Sequence, residues 1–409
     1  MAEPATIPNP FTPAVVEDPY SVHAALREAG VAQIPGTDIF AVARAADVEY
    51  VLMHPELFSN IVALDPRTVP PEVYAKARLT GALPGSDPPE HNQYRVLVGR
   101  HFSAQGVRPL EDRIRAIIDG LIDPWIDDGI VELASQFATP LTVEVFVELL
   151  GIKDEDVPKV KRWVDYTIEN MSASVGMLTP ERAQYVARQV AEFSDWLLAL
   201  AHDRRAHPRD DLLTHVVTTP MPGLGNRPLL DQEIRGMLMT LLMGGTETTL
   251  NMICSGMWLL LTHPGQYAEV LADFTLIPNF VEEALRFESP VQGLFRRALA
   301  DAEVGGVTIP AGSRVWVMYG SANRDPRQWQ DPDRFDIHRP DAKEHVAFGA
   351  GVHYCLGAPL ARMEGRIAFE QLFTRLKDIR FAEGRNDFRH GPSHVIRGFR
   401  ELWLAFERC

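Results

Sequence analysis

The sequence predicts a mainly α-helical protein with small β-sheets, on three observations. Apolar residues recur at helical spacing over most of 88–205. A second periodic segment, 231–262, is long enough to cross a whole domain as one helix. Alternation typical of strands is confined to a stretch near the N-terminus and to one around 304–318. Helix therefore dominates and sheet is the minor component.

Two short stretches account for the expected sheets. Residues 31–34 and 39–43 have the pattern of strands, and 35–38 supply the turn residues between them. Further along the chain, 307–309 and 314–317 flank a Pro-Ala-Gly turn. We therefore expect two small β-rich regions that are far apart in the sequence.

The longest helix is expected to begin near Asp231, a suitable N-cap, and to end at Thr262 shortly before Pro264. At 1.5 Å per residue it spans roughly 48 Å. Residues 237–243 are apolar on every side of this helix, which predicts burial in the core. They are followed directly by 244–249, Gly-Gly-Thr-Glu-Thr-Thr.

Length and composition favour a single domain over 1–409. Of the 409 residues 46% are hydrophobic and 23% are charged, as in ordinary globular proteins, and no low-complexity linker or fixed-period repeat divides the chain. We expect a small β-rich lobe near 25–60 and 300–320 and a helical body elsewhere. Met1–Pro10 has neither a basic start nor an apolar run, which argues against a signal peptide or membrane anchor and favours the cytoplasm.

Charge and cysteine content restrict the class of protein further. The net charge of −15, from 40 basic and 55 acidic residues, argues against a nucleic-acid-binding protein. The three cysteines, Cys254, Cys355 and Cys409, form no disulfide framework, which fits a reducing compartment. We expect a monomer without nucleic-acid or membrane partners.

Gly244 and Gly245 lie inside the long helix, where each glycine costs about 1 kcal/mol. The pair indicates either a flat ligand close to the backbone or a close helix crossing, and the glycines alone leave both open. Glu247 and Thr248 follow. An acid and a hydroxyl at mid-helix must be hydrogen-bonded if buried, which favours a proton relay. The alternative is a Thr248 bonded to the carbonyl one turn back and a Glu247 on a solvated face.

Cys355 lies in a loop with three glycines, 348–357, which is followed by helical periodicity. A site where a loop becomes a helix offers amide donors and a helix dipole that favour thiolate over thiol, as an anionic metal ligand requires. The usual alternative for a lone cysteine is a buried, inert thiol. Structural zinc at His353 and Cys355 is disfavoured, because no second Cys or His pair at ligand spacing accompanies them.

These segments resemble those of the cytochrome P-450 family, soluble prokaryotic type, and the resemblance extends over nearly the whole chain. The loop matches the family's haem-binding signature at every characteristic position, namely Phe348, Gly349, Gly351, His353, Cys355 and Gly357. Residues 244–249 resemble the family's oxygen-activation segment, with Gly244 where Ala is common. The resemblance implies the cytochrome P-450 fold, a triangular helical prism that encloses haem b (iron protoporphyrin IX) between the Gly244 helix and the Cys355 loop.

The resemblance also implies roles for individual residues. Cys355 is the implied iron ligand, and the implied haem contacts include Gly244, Gly245, Phe348, Gly349 and Gly357. Glu247 and Thr248 take the acid and alcohol roles in proton delivery during oxygen activation. The haem propionates are held by His91, Arg95, Arg296 and His353, with Arg297 as an alternative to Arg296. Without the resemblance, His91 and Arg95 would be taken for solvated residues at i and i+4 of a helix.

Glu283 and Arg286 lie at i and i+3 of a helix, a spacing that by itself indicates only a solvated surface pair. In the family the matching residues form a buried ion pair that supports the haem pocket. An arginine of a Pro-x-Arg-Phe segment joins that pair, and the resemblance points to Arg334. We therefore expect structural roles for all three residues.

The implied activity is monooxygenation, the haem-dependent insertion of one oxygen atom of O2 into a small to medium hydrophobic substrate by hydroxylation or O-dealkylation. No Gly-rich dinucleotide fingerprint follows a strand, so NAD(P)H acts only indirectly, through the ferredoxin and ferredoxin reductase that the family implies. Two alternatives stay open. One is a peroxide-driven peroxygenase of the same fold, although such relatives generally lack the acid and alcohol pair. The other is a non-catalytic haem-binding sensor.

The positions that resemble the family's substrate pocket are almost all apolar. They are Met239, Thr240, Met243, Val291, Leu294, Phe295, Val395 and Ile396. An apolar stripe is by itself more often packing than pocket, but the resemblance places these segments around one cavity that suits a neutral ligand. Residues 288–292 and 320–326 look like relatives that oxidise small aromatic compounds, including aromatic acids, yet 239–243 offers no basic cluster for a carboxylate. We therefore expect neutral terpenoid, alkylaromatic or steroid-like molecules to bind more tightly than benzoates.

Overall fold

A computed structural model describes the chain over 9–61, 83–153, 156–173 and 178–409. Most of Met1–Pro10, where we expect neither leader nor anchor, therefore lies outside the described residues. Within the described part, helix predominates and the sheets are small, which confirms the predicted fold class. None of the helices described is both long and apolar enough to cross a membrane.

The described residues contain helices along the whole chain and strands at a few places. The α-helices are α1 Pro13–Glu17, α2 Tyr20–Ala29, α3 Ala45–Met53, α4 Glu90–Phe102, α5 Ala104–Val107, α6 Glu111–Ile122, α7 Thr139–Leu150, α8 Val157–Ala173, α9 Pro180–Ala206, α10 Leu212–Thr218, α11 Asp231–Thr262, α12 Pro264–Ala272, α13 Ile277–Phe287, α14 Tyr319–Ala322 and α15 Ala358–Arg375. The strands are β1 Ala32–Gln33, β2 Ile39–Val42, β3 Phe58–Ser59, β4 Ile130–Glu132, β5 Leu294–Ala298, β6 Ala302–Val304, β7 Val307–Ile309, β8 Arg314–Val317, β9 Leu376–Phe381 and β10 Trp403–Arg408. Short 3₁₀ segments are Leu83–Gly85, Arg108–Leu110, Pro222–Leu224, Phe274–Leu276, Ala342–Glu344 and Gly351–His353, and Ala134–Ala138 is a π-helical turn.

Contacts divide the chain into two compact units. Among the described residues, the first unit contains those up to 61 together with Ser255–Cys355 and Arg389–Arg400. The second contains 83–254, Leu356–Phe388 and Glu401–Cys409. The expectation of a single domain over the whole chain stays a prediction.

The first unit contains a five-stranded sheet in the order β1-β2-β8-β5-β3 and a two-stranded sheet, β6-β7. Strand β2 pairs with β8 in parallel, so the two predicted β-rich stretches meet in one sheet. The strands on either side of the Pro-Ala-Gly turn do not form a hairpin: β7 pairs with β6, whereas β8 pairs with β2 and β5. Val42, Val315 and Val317 are fully buried and form part of a core cluster beneath this sheet.

The second unit is largely helical and also holds a three-stranded antiparallel sheet, β4-β10-β9. The sequence analysis did not identify this sheet. Strand β4 has only three residues, too few for a readable alternation, and it pairs with β10 across more than half of the chain. Local pattern cannot reveal such a pairing.

The long helix is confirmed with the predicted end points, since α11 spans Asp231–Thr262 and has 32 residues. Its N-cap lies one residue earlier than expected. The carbonyl of Leu230 accepts the first helical hydrogen bond, from Ile234 N, and the Leu230 amide donates to Glu233 Oε2 at 2.5 Å. Glu233 thus caps the helix in the way that the third residue of a capping box does.

A buried ion pair lies in the first unit, on α13. Arg286 donates through Nε and Nη2 to the two carboxylate oxygens of Glu283 at 2.7 and 2.8 Å, and both side chains are 0% exposed. A second arginine joins them, but it is Arg339, whose Nε lies 3.1 Å from Glu283 Oε2. The assignment to Arg334 is wrong. Its side chain is 70% exposed beside Asp336, and only its backbone carbonyl accepts a hydrogen bond from Arg286.

The two arginines allow a matched test of this correction. We expect Arg339→Ala to lower the free energy of unfolding by about 3 kcal/mol, near the low end of the cost of breaking a buried pair, because Arg286 remains on Glu283. Arg334→Ala removes an exposed side chain and should change it by no more than about 0.5 kcal/mol. Denaturant unfolding of both variants measures the difference, and equal effects would show that Arg339 is not part of the buried pair.

Candidate functional site

Cys355 lies at the end of a tightly turned loop in the first unit. Its amide donates to the carbonyl of Phe348 at 2.8 Å, so the backbone of the loop returns on itself. Gly349 and Gly351 adopt φ of +67° and +66°, which favours glycine. A side chain at Gly351 would also collide with the carbonyl of Leu52. The loop therefore depends on these two glycines to present Cys355.

The three cysteines lie in different environments. Cys355 is partly buried, Cys254 is fully buried and Cys409 is exposed. Burial raises the pKa of the Cys254 thiol well above its usual value, so this thiol stays protonated and inert. Cys355 combines partial access with a position three residues before the first residue of α15, Ala358.

Hydrogen bonds connect the Cys355 loop to the buried ion pair within the first unit. The Val346 amide, two residues before the loop, donates to Asn323 Oδ1 at 2.8 Å. The carbonyl of Asn323 accepts from Arg286 Nη1, also at 2.8 Å. Asn323 was not predicted as a functional residue, although it lies in the segment 320–326, which resembles relatives that oxidise small aromatic compounds. A residue that supports the loop through hydrogen bonds from a distant part of the chain leaves no local signal in the sequence.

Strand β5 distinguishes between the two adjacent arginines. Successive strand residues point to opposite faces, and Arg296 is 4% exposed whereas Arg297 is only half-buried. Arg297 lies on the side of Asp38, whose pKa is lowered mainly by its hydrogen bond from Arg314 and more weakly by the charge of Arg297. Alternation therefore buries Arg296.

Arg296 fits an anionic group. Its described hydrogen bond goes to the carbonyl of Phe295 at 3.0 Å, and no carboxylate among the described residues pairs with it. A guanidinium that is buried needs an anionic partner to offset the loss of its hydration. A carboxylate of a bound cofactor would be such a partner. His353, partly buried in the 3₁₀ turn of the Cys355 loop, belongs to the same unit.

His91 and Arg95 lie on α4 in the second unit, at i and i+4 and so on one face. His91 is 1% exposed rather than solvated, and Arg95 is partly buried. Burial lowers the pKa of His91, the side chain of Asn92 opposes this, and the charge of Arg95 lowers it further. The lowered pKa favours a neutral imidazole, whose Nδ1 lies 3.3 Å from the side-chain oxygen of Asn92.

The two glycines of α11 have different explanations. A side chain at Gly245 would collide with the ring of Phe146, which is buried on α7, so close helix packing accounts for this glycine. Gly244 is exposed and a side chain there would meet nothing within 4 Å. Of the two, only Gly244 leaves backbone open to a flat ligand.

Thr248 makes the local bond that the alternative described, since its Oγ1 donates to the carbonyl of Gly244 at 2.7 Å. Glu247 is half-buried rather than fully solvated. Burial, and to a lesser extent the charge of Asp165, raise the pKa of Glu247 to about 7 against the opposing effects of Lys161 and a hydrogen bond with Asn251. A carboxyl that is half-protonated near neutral pH can both give and take protons.

Two of the proposed substrate-contacting segments meet in the first unit. Val291 and Ile396 form an antiparallel β-bridge, and the Gln292 amide donates to the carbonyl of Val395 at 2.8 Å. Val291, Leu294 and Ile396 are half-buried, whereas Val395 is buried. Side chains that are neither buried nor exposed are suited to line a cavity.

Phe295 is half-buried and packs against a core cluster, whereas Met239 is buried. The ring of Phe295 stacks on that of Trp316 with centroids 6.4 Å apart and lies 6.5 Å from that of Phe11. Met239 is buried on α11. The assignment of these two to a substrate pocket stays a prediction. Strand alternation places Phe295 on the face of β5 opposite to Leu294. Thr240 and Met243 remain half-buried.

Comparison with known proteins identifies the family of this chain. The family model described as Cytochrome P450 matches residues 38–378. The chain is 35% identical over 398 residues to the cytochrome P450 monooxygenase PikC of Streptomyces venezuelae, covering 96% of this chain and 92% of the relative. It is 35% identical over 393 residues to the vitamin D(3) 25-hydroxylase of Pseudonocardia autotrophica, covering 94% and 93%.

A solved structure gives the same result. The cytochrome P450 CREJ in complex with (4-ethylphenyl) dihydrogen phosphate has a TM-score of 0.87 to this chain at 27% identity, covering 98% of this chain and all 100% of the other. The extent of these matches identifies the chain as a member of the cytochrome P450 family and as a P450 monooxygenase.

Proposed function

We propose that this monooxygenase holds haem b through the thiolate of Cys355. The observation that carries this is the loop geometry, in which the Cys355 amide donates to the Phe348 carbonyl and the intervening Gly349 and Gly351 adopt positive φ. Arg296, buried without a carboxylate among the described residues, supports binding of one haem propionate by the same unit. The haem, when bound, supplies the iron at which dioxygen is activated.

The remaining haem contacts rest on the resemblance together with burial. His353 lies in the Cys355 loop, and in the second unit His91 and Arg95 present a buried imidazole and a cation from one face of α4. Gly244 offers open backbone on α11. Gly245 needs no haem contact to explain it.

Glu247 and Thr248 deliver protons in this proposal. Glu247 supplies the acid, because its raised pKa of about 7 leaves about half of its carboxyl groups protonated at neutral pH. Thr248 keeps its hydroxyl in place through the bond to Gly244, and its oxygen still has a lone pair with which to accept a hydrogen bond. A peroxygenase would need neither residue.

Electrons reach the enzyme from NAD(P)H through a ferredoxin and a ferredoxin reductase, and the enzyme acts as a monomer in the cytoplasm. The absence of a dinucleotide fingerprint in the sequence supports separate redox partners. The substrate is a neutral hydrophobic molecule that is hydroxylated or O-dealkylated. Half-buried apolar side chains at Val291, Leu294 and Ile396 support this class, as does the vitamin D(3) hydroxylase among the relatives.

The first prediction concerns the axial ligand. Cys355→Ala should abolish the absorption band near 450 nm of the reduced carbon-monoxide complex, which is the family's thiolate signature. Cys254→Ala and Cys409→Ala are the matched controls and should retain the band. Retention of the band in Cys355→Ala, with its loss in either control, would place the ligand elsewhere.

The second prediction separates a monooxygenase from a peroxygenase. Thr248→Ala should bind substrate normally but divert reducing equivalents into hydrogen peroxide, so that NADH consumption outruns product formation. Thr262→Ala is the control, because its hydroxyl makes the same bond to a carbonyl one turn back, at the far end of α11. Coupling that is unchanged in Thr248→Ala would remove this residue from the mechanism.

The third prediction follows from the raised pKa of Glu247. The neutral acid predominates below pH 7 and is lost as the pH rises, so coupled product formation should fall through about pH 7. Glu247→Gln should lower the rate by roughly 10²-fold and remove this dependence, since the amide does not titrate. Rates of product formation between pH 5.5 and 8.5 measure it, and a variant that keeps the same decline would exclude Glu247 as its source.

The fourth prediction concerns the substrate. Neutral terpenoid, alkylaromatic and steroid-like molecules should bind more tightly than benzoates, because the described side chains proposed for the pocket are apolar and place no cation there. Titration of both classes, followed by the low-spin to high-spin change, gives the affinities. Because the CREJ structure holds an aromatic phosphate, anionic aromatic compounds are the class against which the neutral molecules should be compared. A benzoate that binds more tightly than every neutral analogue would contradict the assignment.

A further inference from the structure

His345 is a buried histidine that precedes the Cys355 loop and has no role in the function proposed above. It is 5% exposed. Its Nδ1 accepts a hydrogen bond from the Ala347 amide at 3.1 Å. Its ring lies 5.5 Å from that of Phe348, at an interplanar angle of 45°. Its Nε2 lies 3.3 Å from Oε2 of Glu282 on α13.

These contacts fix the state and the orientation of the imidazole. Because Nδ1 accepts a hydrogen bond, it is unprotonated, and the ring carries its hydrogen on Nε2. That N–H faces the Glu282 carboxylate at a direction too oblique for a hydrogen bond, so the attraction between them is electrostatic. A carboxylate that orients a histidine ring in this way is common around metal centres.

His345 connects to Cys355 through one residue. Its ring packs on Phe348, and the carbonyl of Phe348 accepts the Cys355 amide at 2.8 Å. From the other side, Asn323 holds the Val346 amide. The three residues 346–348 are therefore held by the side chains of both His345 and Asn323. Each of these contacts a residue of α13, Glu282 in the first case and Arg286 in the second.

We propose that His345, oriented by Glu282, is a positioning residue that fixes Phe348 and thereby the backbone of the Cys355 thiolate. The proposal rests on the proposed ligation by Cys355. His345 does not contact the reacting atoms in this account. Its effect is on how long the thiolate geometry persists and on the electronic environment of the sulfur, since both depend on the hydrogen bonds of the loop.

The test uses the haem-loaded protein and the persistence of its 450 nm band at constant temperature. His345→Phe keeps a ring against Phe348 but removes the acceptor for Ala347, and should lose the band about tenfold faster, which corresponds to roughly 1.4 kcal/mol. His345→Asn restores an acceptor at the position of Nδ1 and should recover most of the wild-type lifetime. Glu282→Gln should show an intermediate loss. The reduction potential should shift in the same order.

His390→Phe is the matched control. His390 is also buried in the first unit, and its Nδ1 lies 3.0 Å from a carboxylate oxygen of Glu17, but it does not contact the Cys355 loop. This variant should keep the wild-type lifetime of the band. Equal lifetimes for wild type and His345→Phe, or equal losses in His345→Phe and His390→Phe, would overturn the proposal. If His345→Phe does not fold, an unchanged lifetime in Glu282→Gln overturns it, whereas a wild type without the 450 nm band refutes the ligation by Cys355 itself.

Discussion

The first unit depends on the pairing of one buried arginine. A guanidinium that is removed from water must use its N–H groups within the protein, and Arg286 makes five hydrogen bonds, two to Glu283 and one each to the carbonyls of Asn323, Pro332 and Arg334. Five is the full number of donors on this side chain. Arg286 therefore ties helix α13 to two stretches of loop that have no regular secondary structure of their own.

The geometry around Cys355 follows from that arrangement. Asn323 is held through its carbonyl by Arg286 and holds the Val346 amide through its side chain. Glu282, the neighbour of Glu283 on α13, faces His345 just before the same loop. The helix thus supports the loop through two adjacent carboxylates. The proposed thiolate ligand needs a backbone that does not relax, and side chains of a helix add to the rigidity that the loop gains from its own hydrogen bond and glycines.

Features set by local pattern could be predicted from the sequence. The limits of α11 follow from apolar periodicity, and the Cys355 loop follows from glycines that must adopt positive φ. Features set by distant contacts could not. Arg334 and Arg339 both lie in the segment where the sequence predicts a partner for the Glu283–Arg286 pair. Only the course of the backbone decides which of the two side chains is buried. Gly245 is explained by Phe146, about a hundred residues earlier in the chain.

The central claim is that Cys355 ligates the haem iron while Arg296 neutralises a propionate. A crystal structure of the haem-loaded protein tests both parts directly. The account predicts a bond between the iron and Sγ of Cys355, and a propionate oxygen at about 2.8 Å from the Arg296 guanidinium. An axial ligand from any other residue, or a propionate that leaves Arg296 without a partner, would contradict it.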